Sequence, residues 1–271
     1  VGELIDGYTR YREGDAAPLP ALALQYADYA RWQREWMEAG ERERQLAYWV
    51  GQLGSEQDVL ALPLDRPRPA EQSYRGAQLD LAVPSALKDG LEALARRQGA
   101  TLFMVLLASF QALLHRYSGQ RDIRVGVPVA NRNRVETEGL IGFFVNTLVL
   151  RADIDPRQPF GVLLQQVRQA ALGAQAHQDL PFEQLVDALA PTRSLSHSPL
   201  FQVMFNHQAA ALAPVRAVPG LAVQAMAWDN DTTQFDLSLD TCETAEGLSA
   251  SLIYATDLFD HATIVRLGEH W

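Results

Sequence analysis

Histidines are the side chains in this sequence best suited to proton transfer, because an imidazole titrates near neutral pH. The 271 residues contain six of them, no two are adjacent, and no pair has the His-Glu-x-x-His spacing of a metal site. The sequence also lacks a Gly-x-Ser-x-Gly nucleophile elbow, a phosphate-binding Gly-Lys-Ser/Thr loop and a dinucleotide fingerprint. It therefore predicts no metal site and no catalytic centre built from one local motif.

Composition restricts the class of protein further. The 23 basic residues against 33 acidic ones give a formal charge of −10, and no block of basic residues stands out, so nucleic acid is not an expected partner. No apolar run approaches the ~18 residues that span a bilayer, which argues against a membrane partner. Cys242 is the only cysteine, which excludes an internal disulfide and a thiolate zinc site and favours a cytoplasmic location.

Helical and strand patterns alternate over most of the chain, which predicts an α/β fold with a mixed sheet and packed helices. Three prolines in residues 62–73 predict an extended linker. We therefore expect a helical and Pro-rich linker region over residues 1–75 and a sheet-containing domain over residues 76–271. The predicted helices are 1–12, 22–53, 86–97, 101–117, 160–176 and 262–271, the predicted strands are 78–83, 123–127, 143–150, 200–206, 235–241 and 248–255, and the stretch 209–220 is a predicted flexible loop.

Four stretches of the chain have the composition and order of known family motifs. They are YADYARW at 26–32, IGFFVNTL at 141–148, HQDLPFE at 177–183 and RSLSHSPLF at 193–201. These stretches resemble, in order and approximate spacing, the corresponding motifs of the condensation domains of nonribosomal peptide synthetases. The resemblance covers essentially the whole chain.

The resemblance implies a fold, a reaction and a set of partners. The fold would be a chloramphenicol-acetyltransferase-like subdomain that pairs with an N-terminal half. Donor and acceptor peptidyl carrier proteins would dock on opposite faces, and an adenylation domain would follow. The phosphopantetheine arms of the two carrier proteins would meet in a tunnel, where the acceptor amine attacks the donor thioester to give a peptide bond. The chain itself would bind no cofactor.

One motif of the family is missing from this sequence. No His-His pair occurs, and no histidine has an aspartate four residues later, so His-His-x-x-x-Asp-Gly is absent. In the family this motif precedes a helix resembling residues 1–12, so we expect the chain to begin just after the active site and to end within the last helix before an adenylation domain. The resemblance assigns the catalytic histidine to no residue here, and we expect the chain alone to form no peptide bond. Two alternatives stay open: a carrier-docking or assembly module without catalysis, and part of an epimerisation or heterocyclisation domain.

Four polar residues are candidates for the wall of the tunnel. Asn146 is an amide inside an apolar strand, so it either faces a cavity or finds structural hydrogen bonds. Thr147 and Arg132 are weaker candidates of the same kind, and Asp236 stands at the start of a predicted strand close to the implied tunnel.

Other conspicuous residues have a structural interpretation. Tyr29, Trp32 and Trp36 share one helical face, which favours packing between elements over a cofactor site. His177 and Asp179 precede a helix-start signature and are expected to organise that turn. We also expect apolar side chains on the face that would meet the other half of the domain.

Overall fold

The computed structural model describes residues 2–14, 21–190, 194–209, 231–244 and 247–271. Arg193 and almost all of the predicted loop 209–220 lie outside these residues. The helices of the described ranges are α1 (Gly2–Arg12), α2 (Tyr26–Trp36), α3 (Arg42–Leu53), α4 (Ser85–Arg97), α5 (Leu102–Ser118), α6 (Val135–Glu138), α7 (Phe160–Gln175), α8 (Phe182–Leu189) and α9 (His261–His270), and the strands are β1 (Gly76–Val83), β2 (Asp122–Val129), β3 (Asn146–Asp153), β4 (Val203–Gln208), β5 (Leu237–Thr244) and β6 (Gly247–Ala255).

The six strands form one mixed sheet in the order β1-β6-β5-β4-β2-β3. The pairs β1/β6, β5/β6 and β2/β3 are antiparallel, and β4 is parallel to both β5 and β2. The predicted α/β class with a mixed sheet and packed helices is therefore confirmed.

The two faces of the sheet have different chemistry, because successive side chains of a strand point to opposite sides. One face is apolar and fully buried, as Phe205 of β4 and Leu237 and Leu239 of β5 show. Helices α4, α5, α7 and α9 contact the strands, and α5 contributes more buried residues to this core than any other element. The alternate residues of β4 and β5, such as Asn206 and Ser238, face a cavity on the opposite side.

The central helix of the core is α5, and its ends follow local sequence signals. The hydroxyl of Thr101 accepts a hydrogen bond from the Met104 amide at 3.3 Å, which caps the helix as predicted. Gly119 ends the helix in the left-handed region at φ 71°, where a residue without a Cβ is favoured. Both predicted ends are confirmed.

Several predicted boundaries were wrong. The predicted helix 22–53 is interrupted by a π-helical segment, Met37–Glu41, in which Gly40 adopts φ 109°. The predicted strand 143–150 begins only at Asn146, because its antiparallel partner β2 ends at Val129 and leaves the preceding residues without a neighbouring strand. The predicted strand 123–127 extends through Pro128 to Val129. Parallel pairing with β4 is restricted to Gly126, so the missing N–H of the proline costs no bond on that side.

The segment before the sheet contributes to the same core. Trp49, Leu53, Leu60 and Leu62 precede residue 76 and are buried with the helices and strands. The division of the chain after residue 75 stays a prediction. No single helix of the described ranges is long and apolar enough to cross a membrane, although α4 and α5 would satisfy the criterion as a pair bent by 103°.

Gly126 offers a test of how tightly the cavity side of the sheet is packed. A Cβ at this position would overlap the ring of Phe201, which is 2% exposed. We expect Gly126→Ala to lower the free energy of unfolding by about 1 to 3 kcal/mol, because the ring has to move out of a closely packed position. Urea denaturation of the purified chain measures the change.

The matched control is Gly51→Ala in α3, where an added Cβ meets nothing within 4 Å. That substitution should stabilise the chain by up to about 1 kcal/mol, because alanine is the better helix former. Equal stability of Gly126→Ala and the unsubstituted chain would contradict the packing described for β2.

Candidate functional site

A large cavity with a volume of about 970 Å³ lies on the polar face of the sheet. Its floor consists of strand residues that point away from the helical core, and its walls come from the segment before β1, the segment before β4 and the residues that lead into β5. The strand residues are Pro128, Thr147, Met204, Asn206, Ser238, Asp240 and Ile253.

One wall of the cavity is fixed by a buried ion pair. Asp236, at 1% exposed, accepts two hydrogen bonds from the guanidinium of Arg68, one of them at 2.8 Å. The same guanidinium donates to the carbonyl of Ser196 at 3.2 Å. Arg68 therefore connects the extended linker, the motif segment at 193–201 and the entrance to β5.

A buried amide and three aromatic rings complete this wall. Gln202, at 4% exposed, accepts a hydrogen bond from the Leu60 amide at 2.7 Å and donates to the Ser198 carbonyl at 3.0 Å. Phe201 packs against Phe182 and Phe235 with ring centroids 5.6 and 5.4 Å away. These contacts hold the wall in place without a regular secondary-structure element.

Asn146 lies at the edge of the site, and its amide is occupied by structural hydrogen bonds. Its side-chain nitrogen donates to the carbonyls of Gln178 and Leu180, both at 2.8 Å. Its side-chain oxygen accepts from the Phe182 amide at 3.0 Å. Of the two interpretations that the sequence left open, the structure shows the hydrogen bonds of a satisfied structural amide.

The turn that Asn146 binds is also held from α3. Gln45 is fully buried and accepts a hydrogen bond from the Leu180 amide at 2.8 Å. It also donates to the carboxylate of Glu41, and the hydrogen bonds from Arg44 and Gln45 lower the pKa of Glu41 to about 2. His177 stacks on Tyr48 with ring centroids 3.9 Å apart.

The ring nitrogens of His177 are both engaged: Nδ1 contacts the Gly173 carbonyl at 2.8 Å and Nε2 contacts Arg44 at 3.1 Å. Asp179 has weaker contacts to Gln45 and Asn133, each at 3.4 Å. These bonds agree with the expectation that His177 and Asp179 organise the turn.

Thr147 lies where two cavities meet. Together with Phe182 it lines the large cavity and a second one of about 290 Å³, which is bounded by Tyr26 and Tyr29 of α2. Tyr29 in turn contacts Trp32, and Trp32 stacks on Trp36 at 5.2 Å, so the aromatic face of α2 packs between elements.

Arg132 does not line either cavity. Its guanidinium donates to the carbonyls of Thr137 and Leu140 and lies 4.1 Å from the centroid of the Phe144 ring. It thereby shapes the loop that leads into β3. The structure thus brings Asn146 and Thr147 to the cavities, and it places Arg132 and Asp236 behind their walls; a direct contact of any of the four with substrate stays a prediction.

Two titratable groups in the large cavity have altered pKa values. Burial lowers the pKa of His197, and repulsion from Arg68 acts in the same direction, so the imidazole is neutral at pH 7. Burial raises the pKa of Asp240 above its usual range, while a hydrogen bond from Asn206 opposes the shift. Within the described ranges no three His, Cys, Asp or Glu side chains are arranged to hold a metal ion.

Arg68, Gln202 and Asp240 were not identified from the sequence. Arg68 lies in a linker whose prolines indicated only an extended chain, and the ion pair joins residues far apart in sequence. The position of Asp240 could have been predicted from the sequence. Leu237 and Leu239 alternate with Ser238 and Asp240, which places the aspartate on the polar side of a strand.

Comparison with known proteins gives one consistent result. A family model described as the Condensation domain matches residues 1–271. One of the subunits of the linear gramicidin synthase of Brevibacillus parabrevis is 51% identical over 273 residues, which covers 100% of this chain and 4% of that protein. Phosphinothricin tripeptide synthetase PhsC of Streptomyces viridochromogenes is 44% identical over 263 residues, which covers 94% of this chain and 24% of that protein. The chain thus spans a small part of the length of these relatives.

Solved structures agree with the sequence comparison. The X-domain from teicoplanin biosynthesis superimposes with a TM-score of 0.91 at 28% identity, over 99% of this chain and 62% of that one. The same X-domain in complex with OxyB gives a TM-score of 0.88 at 29% identity, over 98% of this chain and 60% of that one. The first condensation domain of the CDA synthetase has the same fold, with a TM-score of 0.79 at 23% identity over 99% and 58% of the two chains. The predicted chloramphenicol-acetyltransferase-like fold is confirmed.

Replacing Asn146 tests its structural hydrogen bonds. We expect Asn146→Ala to lower the free energy of unfolding by about 2 to 4 kcal/mol, because it leaves two carbonyls and one amide of the following turn without their partner. Thr147→Val is the control, since it changes the next residue and keeps its shape; its cost should stay within about 0.5 kcal/mol. Chemical denaturation followed by tryptophan fluorescence measures both, and similar costs for the two variants would contradict the assignment.

The ion pair behind the cavity wall can be compared with an exposed one. Asp236→Asn should cost about 3 kcal/mol, because it leaves the guanidinium of Arg68 buried without its counter-charge. Asp257→Asn breaks the pair with Arg75, whose side chain is 73% exposed, and should cost less than about 1 kcal/mol. Differential scanning calorimetry at neutral pH measures both. A cost for Asp236→Asn no greater than for Asp257→Asn would rule out the proposed anchoring.

Proposed function

This chain belongs to the condensation-domain family, and on that premise we propose that it forms the acceptor-side wall of a peptide-bond-forming site. In that site the amine of a carrier-bound aminoacyl group attacks the thioester of a carrier-bound aminoacyl or peptidyl donor. The amide bond forms, the donor thiol leaves, and the peptide is then held on the acceptor carrier. Both substrates arrive on the phosphopantetheine arms of peptidyl carrier proteins.

The observation that carries this proposal is the large cavity on the polar face of the sheet. Its volume of about 970 Å³ is at the upper end of the size of small-molecule sites. Three of the four motif segments border it: 141–148 through Thr147, 177–183 through Phe182, and 193–201 through residues such as His197 and Phe201. The Arg68–Asp236 pair gives this wall the rigidity that positioning of two reactants requires.

The chain supplies positioning and a polar wall, and it lacks the family's histidine motif. His197 is the only histidine among the described residues that line the large cavity. Its Nδ1 lies 2.9 Å from the hydroxyl of Ser196, within the turn that precedes Pro199. We assign His197 a structural part in the wall and expect the proton-transfer group to come from the N-terminal half of the domain.

A second candidate function is docking without catalysis. The loop before β3 exposes three apolar side chains, Ile141 at 85%, Phe143 at 76% and Val145 at 52%. Such a cluster favours contact with another protein surface, and the other half of the domain and a carrier protein are the two candidates. A structural relative supports this reading as well, since the X-domain from teicoplanin biosynthesis is found in complex with OxyB.

A condensation assay distinguishes the two functions. Donor- and acceptor-loaded carrier proteins are mixed with this chain alone, or with this chain and the histidine-bearing half of a condensation domain supplied in trans, and peptide on the acceptor carrier is detected by mass spectrometry. We expect product only when both halves are present, because positioning and proton transfer are then combined.

Each alternative outcome has a definite meaning. Product from this chain alone would overturn the assignment of proton transfer to the other half, and loss of that product in His197→Ala would identify the base. Absence of product in both mixtures, with carrier binding demonstrated separately, would favour the docking module. Inversion of the donor stereocentre or formation of a heterocycle in place of the peptide would indicate the epimerisation or heterocyclisation branch.

A further inference from the structure

Among the described residues, the floor of the large cavity contains a single carboxyl group. Asp240 of β5 lies between Asn206 of β4 and Ser251 of β6 in the strand register. Its carboxylate accepts a hydrogen bond from the side chain of Asn206. Among the described residues that line the cavity, no other carries a carboxylate, and none is a lysine or an arginine. On the described part of the lining, a molecule that enters this cavity therefore meets one carboxyl group and no basic lysine or arginine side chain.

In the part of the chain that the structure describes, this carboxyl group has no cationic partner. Over the described ranges no lysine or arginine forms an ion pair with Asp240, and the guanidinium of Arg68 is already bound to Asp236. A partly buried carboxylate without a cation is unfavourable, because it has lost hydration without gaining a counter-charge. Burial accordingly raises the pKa of Asp240. The position would be stabilised by a ligand that brings a positive charge.

We propose that Asp240 is a specificity-determining residue of the cavity and that its carboxylate binds an ammonium group of the aminoacyl acceptor. This inference rests on the proposed function, because it takes the acceptor to be the molecule that occupies this side of the tunnel. The ammonium group has two sources: a basic side chain such as that of ornithine, and the α-amino group of the acceptor, which would have to lose a proton to the other half of the domain before it attacks the thioester. Both present N–H donors and a positive charge to the same carboxylate.

The expected strength of the contact follows from its charge. A hydrogen bond between two charged groups is about twice as strong as a neutral one and contributes more when water is partly excluded. We therefore expect a probe with a cationic group to bind at least tenfold more tightly than its neutral counterpart. Asparagine at position 240 keeps the shape and removes the charge, so the difference should fall to about twofold or less.

Four pantetheine amides separate the two sources of the ammonium group. Norleucyl-pantetheinamide carries only the α-ammonium, and Nα-acetylornithyl-pantetheinamide carries only the side-chain ammonium. Ornithyl-pantetheinamide carries both, and Nα-acetylnorleucyl-pantetheinamide carries neither. Isothermal titration of each probe into this chain gives four dissociation constants. The single-ammonium probe that binds at least tenfold more tightly than Nα-acetylnorleucyl-pantetheinamide identifies the ammonium group that Asp240 binds.

Two variants make the assignment specific to Asp240. Asp240→Asn should remove the advantage of the cationic probes, and Asp240→Glu should retain part of it because the charge is kept. Asp80→Asn is the matched control: Asp80 lies on β1, borders a smaller pocket together with Asp240, and does not line the large cavity. It lowers the negative charge of the same region, so an equal loss of selectivity in Asp80→Asn would overturn the proposal. Circular dichroism confirms that each variant is folded.

The outcomes separate this proposal from the proposed function. Equal dissociation constants for all four probes, or no binding of any cationic probe, would overturn the role of Asp240. Condensation by the reconstituted halves would in that case still uphold the function. Charge-selective binding that disappears in Asp240→Asn, together with no condensation by the reconstituted halves, would sustain the ammonium site and refute the function.

Discussion

The ion pair between Arg68 and Asp236 is the contact on which the shape of the cavity depends. It is buried, bidentate and extended by a third hydrogen bond to the Ser196 carbonyl. Desolvation of two charges offsets much of their attraction, so such a pair contributes less to net stability than to the definition of one geometry. Three segments that are distant in sequence meet at this guanidinium, and none of them is a helix or strand at that point. Without this anchor the wall before β4 would have to be held by packing alone.

The chain divides its polar and apolar functions between the two faces of one sheet. The apolar face binds the helices and supplies the stability of the fold, so its residues are constrained by volume. The opposite face carries polar side chains on the same strands and borders a cavity, although it is closely packed where Phe201 covers Gly126. Asn206, Ser238 and Asp240 line the cavity and take no part in the apolar core.

The sequence was sufficient to predict the features that depend on neighbouring residues, such as helix ends and strand alternation. The Thr101 cap, the Gly119 terminus and the alternation in β5 and β6 follow from residues within a few positions of one another. The break at Gly40 was missed because the amphipathic pattern continues across it, and only the backbone angle reveals the change. Asn146 was recognised as unusual, yet its partners are decided by how the turn at 177–182 folds back over the strand. Arg68 and Asp236 could not be paired from the sequence, since no local rule relates residues so far apart.

The pairing of β1 with β6 has a consequence for biosynthesis. Gly76 lies opposite Ala255, so β1 can join the sheet only after β6 has been synthesised. Helix α9 packs on both strands. During translation β1 therefore has no sheet neighbour until most of the chain has left the ribosome. The entropy cost of closing the long loop between β1 and β6 is compensated only when these two strands pair. A pause of the ribosome shortly after β6 has emerged would give the sheet time to close before exposed strands associate wrongly.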